Sequence, residues 1–168
     1  MKSLFKLLFA TFLTVAPLTV NAQSNVAHIN VQQLISEMPE VIAAQNELAK
    51  LEKDYTTQID NAFKEFQTKA QSYSSDAANQ TDVTNQARQK ELESMQTNLQ
   101  EFRDSAAQEL QKKQMDLMTP LLEKARNAIT KVGEEQGFNY VIDSSPNGGI
   151  ILANGKDLLA DVKKELGF

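Results

Sequence analysis

One long stretch of the sequence, from Pro39 to Gln136, constrains the fold more than any other feature. Inside this stretch the only glycine is Gly133, and the only proline after the first position is Pro120. Ala, Glu, Lys, Gln and Leu, which all favour helices, are abundant. Apolar residues of the first half recur at steps of three, four and seven, as on one face of a helix: Val41, Leu48, Leu51, Tyr55, Ile59, Ala62, Phe66 and Tyr73. The stretch therefore predicts long α-helices.

Polar residues interrupt this pattern once. Residues 74–82 are rich in Ser, Asp, Asn, Gln and Thr, and the apolar periodicity resumes at Val83. We therefore predict an antiparallel helical hairpin over residues 39–136, with its tip at about 74–82. At 1.5 Å per residue the first arm would be about 55 Å long, well beyond a typical globular helix. The hairpin is expected to project from the rest of the chain as a coiled-coil tentacle.

Pro120 lies within the second helix of this prediction. A proline inside a helix removes one backbone hydrogen bond and bends the helix axis. We interpret Pro120 as a kink or hinge. A helix that simply starts at Pro120 after a break explains the sequence almost as well, and both interpretations place a bend there.

The apolar seam of the predicted hairpin is thin near its tip. Between Thr56 and Asn98, 43 residues contain only four Ile, Leu, Val or Met side chains. Little apolar area can be buried per turn, so burial at about 25 cal/mol per Å² contributes little here. We expect the distal half of the hairpin to be loosely held and bendable.

The two ends of the mature chain are predicted to form a small β-rich body from residues 23–38 and 137–168. Val26–Val31 and Phe138–Asp143 read as strands, and Ile150–Ala153 reads as a second strand that forms a β-hairpin with Phe138–Asp143. Gln32–Met38 favours one or two helical turns. Asp157 is placed to cap a last helix.

This body is small for a domain that folds alone without disulfides. Its strands carry almost no charge and are expected to be covered on both faces. The simplest solution is a β core that several chains share. The residues assigned to this oligomer core are Val26, Ile29, Tyr140, Val141, Ile142, Ile150, Ile151, Leu152, Leu158 and Val162.

Residues 1–22 are predicted to be a signal peptide. Lys2 and Lys6 lie before a short apolar run that is interrupted by Thr. Val20-Asn21-Ala22 then has the small or branched residues of a cleavage site at its first and last positions. Cleavage is expected after Ala22, which would export the mature chain to the periplasm without stable membrane insertion. A retained membrane anchor is the less favoured alternative.

Composition excludes most catalytic chemistry. The chain has no Cys and a single His, His28, so thiol catalysis, disulfides and multi-His metal sites are excluded. Asp143, Ser144 and Ser145 have no partner base nearby in sequence, and hydrogen bonding at a strand end explains them better. His28 is interpreted as a core or interface residue. We therefore predict that the chain is not an enzyme and needs no cofactor or metal.

Charge narrows the choice of partners. Removing the two Lys of the signal peptide leaves 15 basic residues against 22 acidic ones, a net charge of −7. Nucleic acids bind basic surfaces, so no nucleic-acid partner is expected.

Both ends of the mature chain resemble the Skp (OmpH-like) family of periplasmic chaperones. The resemblance rests on the strand at 26–30, the entry Ser36-Glu37-Met38-Pro39-Glu40 into a long helix, the stretch from Gly137 to Ser145, and Gly155-Lys156-Asp157-Leu158 before a short helix. It implies a jellyfish-shaped homotrimer with a β body and three helical tentacles around a cavity. It also implies an ATP-independent holdase for unfolded outer-membrane proteins.

The arms differ from the basic members of that family in charge. From Asp60 to Phe102 there are seven acidic residues and four basic ones. The resemblance therefore transfers no lipopolysaccharide site to this chain. Capture of clients is expected to depend weakly on salt, because acidic arms do not attract acidic clients.

If the arms hold clients, their larger apolar side chains are the candidate contacts: Phe63, Phe66, Tyr73, Met95, Leu99 and Phe102. For Phe63, Phe66 and Phe102, packing between the two helices is the slightly favoured role, and client contact is the alternative. Two functions of other classes are also compatible with parts of the sequence. A structural or adaptor coiled-coil protein of the cell envelope is the alternative, and a secreted enzyme is rejected because no nucleophile and base pair is present.

Overall fold

The computed structural model describes residues 25–146 and 148–168, so the predicted signal peptide lies outside the described residues. The elements follow in the order β1 (Val26–Ile29), α1 (Val31–Glu37), α2 (Pro39–Asp76), a 3₁₀ turn (Ala77–Asn79), α3 (Asp82–Glu135), β2 (Tyr140–Asp143), β3 (Lys156–Asp157) and α4 (Leu159–Leu166). The fold is mainly helical with one small sheet, and the predicted fold class is confirmed.

Helices α2 and α3 form the long antiparallel hairpin. They contain 38 and 54 residues, which corresponds to about 57 and 81 Å at 1.5 Å per residue. Local signals define their ends. Pro39 opens α2, where its missing N–H needs no partner. The hydroxyl of Thr81 accepts a hydrogen bond from the backbone N–H of Thr84 at 3.2 Å and so caps the start of α3.

Helix α3 continues through Pro120. The alternative in which a new helix starts at Pro120 after a break is therefore wrong. The proline still removes one hydrogen bond inside a helix of 54 residues. A hinge at this position remains a prediction.

The sheet has three strands in the order β2-β1-β3, and both outer strands run parallel to β1. Val26 pairs with Tyr140 and Ile29 with Asp143, while His28 pairs with Asp157. The predicted β-hairpin between 138–143 and 150–153 is wrong, because Ile150–Ala153 forms no strand. Strand β1 offers two edges, and β2 and β3 occupy both of them.

The hydrophobic core of the body extends into the base of the hairpin. The most completely buried large side chains are Ile29, Leu34, Met38, Val41, Leu158 and Val162. Helix α3 contributes Ala125, Ala128 and Val132 to the same cluster. A Cβ added at Gly133 would lie 2.8 Å from Cγ2 of Val141, so this glycine allows β2 to pack close against α3. The body is therefore larger than the chain ends alone.

Helix α4 is held on this core by signals at its two ends and by ion pairs to α1 and α3. The carboxylate of Asp157 accepts a hydrogen bond from the backbone N–H of Leu159 at 2.9 Å, at the start of the helix. Gly167 ends the helix with a φ of +88°, the left-handed conformation that glycine adopts without strain. Lys163 forms an ion pair with Glu37 of α1, and Lys131 of α3 lies 2.6 Å from Glu165.

Across the two described segments, none of the helices carries an apolar stretch long enough to cross a membrane.

Candidate functional site

A cleft between the two arms brings together three of the six side chains that we predicted to contact clients. Phe63, Phe66 and Leu99 line this cleft, which has a volume of about 500 Å³. Phe63 is 40% exposed, whereas Leu99 is 8% exposed and closes the floor. The rim is polar and includes Glu101 and Arg103. We name this feature the arm cleft.

The other three predicted contacts lie elsewhere along the hairpin. The ring of Phe102 packs edge to face against Tyr55, with 6.0 Å between centroids and 70° between planes. Tyr73 lies nearer the tip, where its hydroxyl donates a hydrogen bond to Glu91 at 2.6 Å. Met95 is half-buried and does not line the arm cleft. Phe102 and Tyr73 therefore join the two helices in this structure.

The arm cleft lies in the least supported part of the hairpin. No side chain from residue 45 to residue 98 is buried, and all of these residues are described. Toward the body, the nearest polar contact between the arms is the hydrogen bond from Tyr55 to Glu109. Toward the tip, the nearest is the ion pair of Lys69 with Glu91 at 2.6 Å. The arm cleft therefore lies between two cross-arm polar contacts, and the bendable distal half remains a prediction.

A second apolar surface lies on the body. Among the predicted oligomer residues, Tyr140 is 63% exposed, Ile151 is 102% exposed and Leu152 is 73% exposed. Ile142 and Ile150 also present part of their side chains to solvent, at 38% and 37%. A single chain leaves these large apolar groups uncovered on one compact body. Such a surface is typical of a protein interface.

The remaining predicted oligomer residues are more enclosed. Ile29, Leu158 and Val162 are buried inside one chain, at 1%, 0% and 0% exposure. They support the body from within and offer no surface to a partner. Val26 and Val141 are half-buried.

A groove of about 610 Å³ lies on the same body, and the exposed Tyr140 is among its lining residues. One face of α3 forms one wall of this groove through Leu122, Arg126, Ile129 and Gly133, and β2 and the preceding turn form another. We name it the body groove. Its apolar lining residues outside the predicted oligomer core are Val31, Ile35, Leu122, Ala125, Ile129 and Phe138. The spacing of seven between Leu122 and Ile129 could have indicated a second apolar face on α3.

The polar groups of the body serve structure. Nδ1 of His28 lies 3.2 Å from Oγ of Ser144, but the nearby carboxylate of Asp143 is engaged elsewhere. That carboxylate accepts hydrogen bonds from the hydroxyl of Ser145 at 2.6 Å and from the backbone N–H groups of Ser145 and Val31 at 2.9 and 3.3 Å. Burial would raise the pKa of Asp143, but these hydrogen bonds outweigh it and lower the pKa. The predicted strand-end role is what the geometry shows.

Within residues 25–146 and 148–168, no three His, Asp or Glu side chains are grouped so that they could hold a metal ion. The arm cleft and the exposed apolar residues of the body are surfaces to which a partner could bind. Both suit broad contact with apolar groups of another chain.

Comparison with known proteins places the whole described chain in one family. The family model "Outer membrane protein (OmpH-like)" matches residues 25–166. A protein named Chaperone protein Skp from Yersinia enterocolitica is 26% identical over 148 residues, covering 85% of this chain and 86% of the relative. A protein of the same name from Pectobacterium atrosepticum is 21% identical over 151 residues and is covered to 90%, as is this chain.

The fold has a counterpart among solved structures. A protein from Caulobacter crescentus CB15, described as an OmpH-like outer membrane chaperone, superimposes with a TM-score of 0.77 at 12% sequence identity. The match covers 86% of this chain and 85% of that one. Since the family model spans both ends of the body and the entire hairpin, this chain belongs to the OmpH-like family.

Proposed function

We propose that this protein is an ATP-independent periplasmic holdase, which binds unfolded outer-membrane proteins between its helical arms and prevents their aggregation. The observation that carries the proposal is the arm cleft, an apolar site between two long, mostly solvated helices. Family membership and the Skp relatives, whose names describe chaperones, support the same reading.

The proposed mechanism depends on many weak contacts. Phe63 and Phe66 offer partly exposed rings beside the buried Leu99, and no side chain from residue 45 to residue 98 is buried. Burial of a whole side chain of this size contributes about 1.5–3 kcal/mol, and partial burial contributes less. A client can therefore be held by several such contacts and still be released without ATP hydrolysis.

We further propose that the working form is a homotrimer whose bodies meet through the body groove and the exposed apolar residues Tyr140, Ile142, Ile150, Ile151 and Leu152. The core that one chain buries includes the base of the hairpin, so the size of the body alone no longer requires partners. The exposed side chains of Tyr140, Ile151 and Leu152 support an interface between chains instead. Three bodies joined in this way would hold their three hairpins around a central cavity.

We predict that the purified mature chain, beginning at Gln23, suppresses aggregation of an outer-membrane protein diluted from urea. Light scattering measured with and without the chaperone checks this. Suppression should change little between about 50 and 300 mM salt, because net repulsion between acidic arms and acidic clients gives no electrostatic capture to screen. Full aggregation in its presence would contradict the holdase and favour the structural coiled-coil alternative.

We predict that the wild-type chain has the mass of a trimer in native mass spectrometry and that Ile142→Asp dissociates it. A charge at this position remains partly solvated in one chain, since Ile142 is 38% exposed, but it would be buried unpaired at an interface. Ile42→Asp is the matched control, because Ile42 is 45% exposed but lies on α2, outside the exposed apolar residues that we propose to form the interface. A monomeric wild type, or equal dissociation by both variants, would contradict the proposed interface.

A further inference from the structure

The tip of the hairpin is held by polar contacts where apolar packing is lacking. Five side chains form a connected group that we name the tip cluster: Lys69, Tyr73 and Asp76 on α2, and Arg88 and Glu91 on α3. No side chain from residue 45 to residue 98 is buried. Polar contacts within the tip cluster therefore make a large part of the connection between α2 and α3 near the tip.

Glu91 is the centre of one half of the tip cluster. Its Oε1 lies 2.6 Å from Nζ of Lys69, and its Oε2 accepts a hydrogen bond from the hydroxyl of Tyr73 at 2.6 Å. One carboxylate of α3 thus binds two successive turns of α2. Because both of its oxygens are engaged, loss of its charge weakens two cross-arm contacts at once.

Arg88 is the centre of the other half. Its Nη2 lies 3.1 Å from Oδ2 of Asp76, the last residue of α2. Its guanidinium carbon also lies 4.7 Å from the centroid of the Tyr73 ring, which is a cation–π contact. Tyr73 is therefore shared by both halves, and the five side chains are coupled.

We propose that the tip cluster is a latch that keeps the two helices together at neutral pH and releases the tip when Glu91 and Asp76 become protonated. The inference does not depend on the proposed holdase function, because it concerns the hairpin of the free protein. In this proposal the tip itself is fastened, and the freely bending section of the hairpin lies between the tip cluster and the Tyr55–Glu109 contact.

The charges around the two carboxylates determine the direction of the pH effect. The hydrogen bond from Lys69, with that from Tyr73, lowers the pKa of Glu91 below its ordinary value of 4.5. The hydrogen bond from Arg88, with that from Asn79, lowers the pKa of Asp76 below 3.8. Stabilisation by each carboxylate is therefore complete above its ordinary pKa and is lost as the pH falls through the lowered one.

Other charged groups near the tip cluster do not reverse this sign. Glu65 lies one turn before Lys69 on α2, at 3.7 Å from its Nζ, and competes only weakly for it. The hydrogen bond that Lys69 donates to Glu91 raises the pKa of Lys69 above 10.5, and the bond that Tyr73 donates to the same carboxylate raises the pKa of Tyr73 above 10.0. Both groups therefore stay protonated throughout the acid range in which the latch opens.

An isolated pair of exposed charges contributes little to stability. The effect here is expected to be local, because opening the tip costs few apolar contacts and the cluster then supplies most of the resistance. Global helicity should hardly change when the latch opens. The distance between the two arms at the tip is therefore the quantity to measure.

The experiment uses spin labels on the full mature chain. Since the chain has no cysteine, Ser72→Cys and Lys90→Cys place one label on each arm, at exposed positions outside the cluster. Distance distributions are recorded by pulsed electron paramagnetic resonance at about pH 7.5 and about pH 3. The test variant is Glu91→Gln, and the matched control is Glu93→Gln, whose carboxylate accepts only from Gln89 of the same helix.

We expect a narrow distance distribution for the labelled parent and for Glu93→Gln at neutral pH, and a distribution about twice as broad for Glu91→Gln. Acid should broaden the parent to a similar width, and should change Glu91→Gln much less. Arg88→Met, which keeps the side-chain stem, should act like Glu91→Gln. Equal widths for Glu91→Gln and the parent, or equal broadening by Glu93→Gln, would overturn the proposal. Circular dichroism of each variant confirms that the helices are intact, and no client is present, so failure of the holdase would not affect the result.

Discussion

Replacing Leu158 by alanine is expected to lower the free energy of unfolding of the body by about 2–5 kcal/mol. Leu158 is 0% exposed and belongs to the core cluster in which β1, α1, α3 and α4 meet. Its backbone N–H also donates a hydrogen bond to the carbonyl of His28 at 3.0 Å, which continues the pairing of β3 with β1. The substitution leaves that hydrogen bond in place and removes only the side chain, so a cavity is the dominant effect.

Urea denaturation followed by circular dichroism measures this loss. Val83→Ala is the matched control, because Val83 is 77% exposed near the tip and its truncation should change stability by less than about 0.5 kcal/mol. A loss below about 1 kcal/mol for Leu158→Ala would mean that the core cluster does not hold the body together as the structure shows.

The hairpin could be predicted from sequence because its signals are local. Proline at the start of α2, the polar run around residues 74–82 and the capping hydroxyl of Thr81 each act on a few neighbouring residues. Helical periodicity over many turns adds to them. The 3₁₀ turn at Ala77–Asn79 falls inside the predicted tip for the same reason.

The sheet was predicted incorrectly because its pairing is not local. Tyr140 pairs with Val26, more than 100 residues away along the chain. Apolar residues 150–153 looked like a strand next to 138–143, and a turn-rich loop between them favoured a β-hairpin. Instead, residues 156–157 pair with the second edge of β1, although their side chains are charged. The pattern of apolar and polar residues shows which segments favour strands. It does not show which edge of another strand each segment will pair with.

The candidate site was predictable in part. Composition indicated which apolar side chains the arms possess, but the rotation of one helix against the other decides which of them meet. That rotation placed Phe63, Phe66 and Leu99 in one cleft and turned Phe102 toward Tyr55. The tip cluster was missed for a related reason, because Lys69, Tyr73 and Glu91 form no pattern until the helices are paired.

Mutation can show which phenylalanines contact clients and which pack the two helices together, a choice that the sequence leaves open. Phe63→Ser with Phe66→Ser removes two rings from the arm cleft, and the resulting loss of burial should weaken client binding about tenfold or more. Helicity should change little, since Phe63 is 40% exposed and neither ring is buried. The aggregation assay, run together with circular dichroism, measures both quantities on one preparation.

Phe102→Ser is the contrasting variant. It removes the edge-to-face contact with Tyr55, which contributes about 0.5–1.5 kcal/mol beyond area burial. Because Tyr55 also makes the hydrogen bond to Glu109 that bounds the freely bending section on its body side, loss of its packing partner should increase protease nicking between residues 56 and 101 and lower helicity. Holdase activity should fall only in proportion to the lost structure. If Phe63→Ser with Phe66→Ser leaves aggregation suppression intact, the arm cleft does not bind clients. If Phe102→Ser abolishes suppression at unchanged helicity, Phe102 contacts the client itself, and the division of roles drawn from the geometry is wrong.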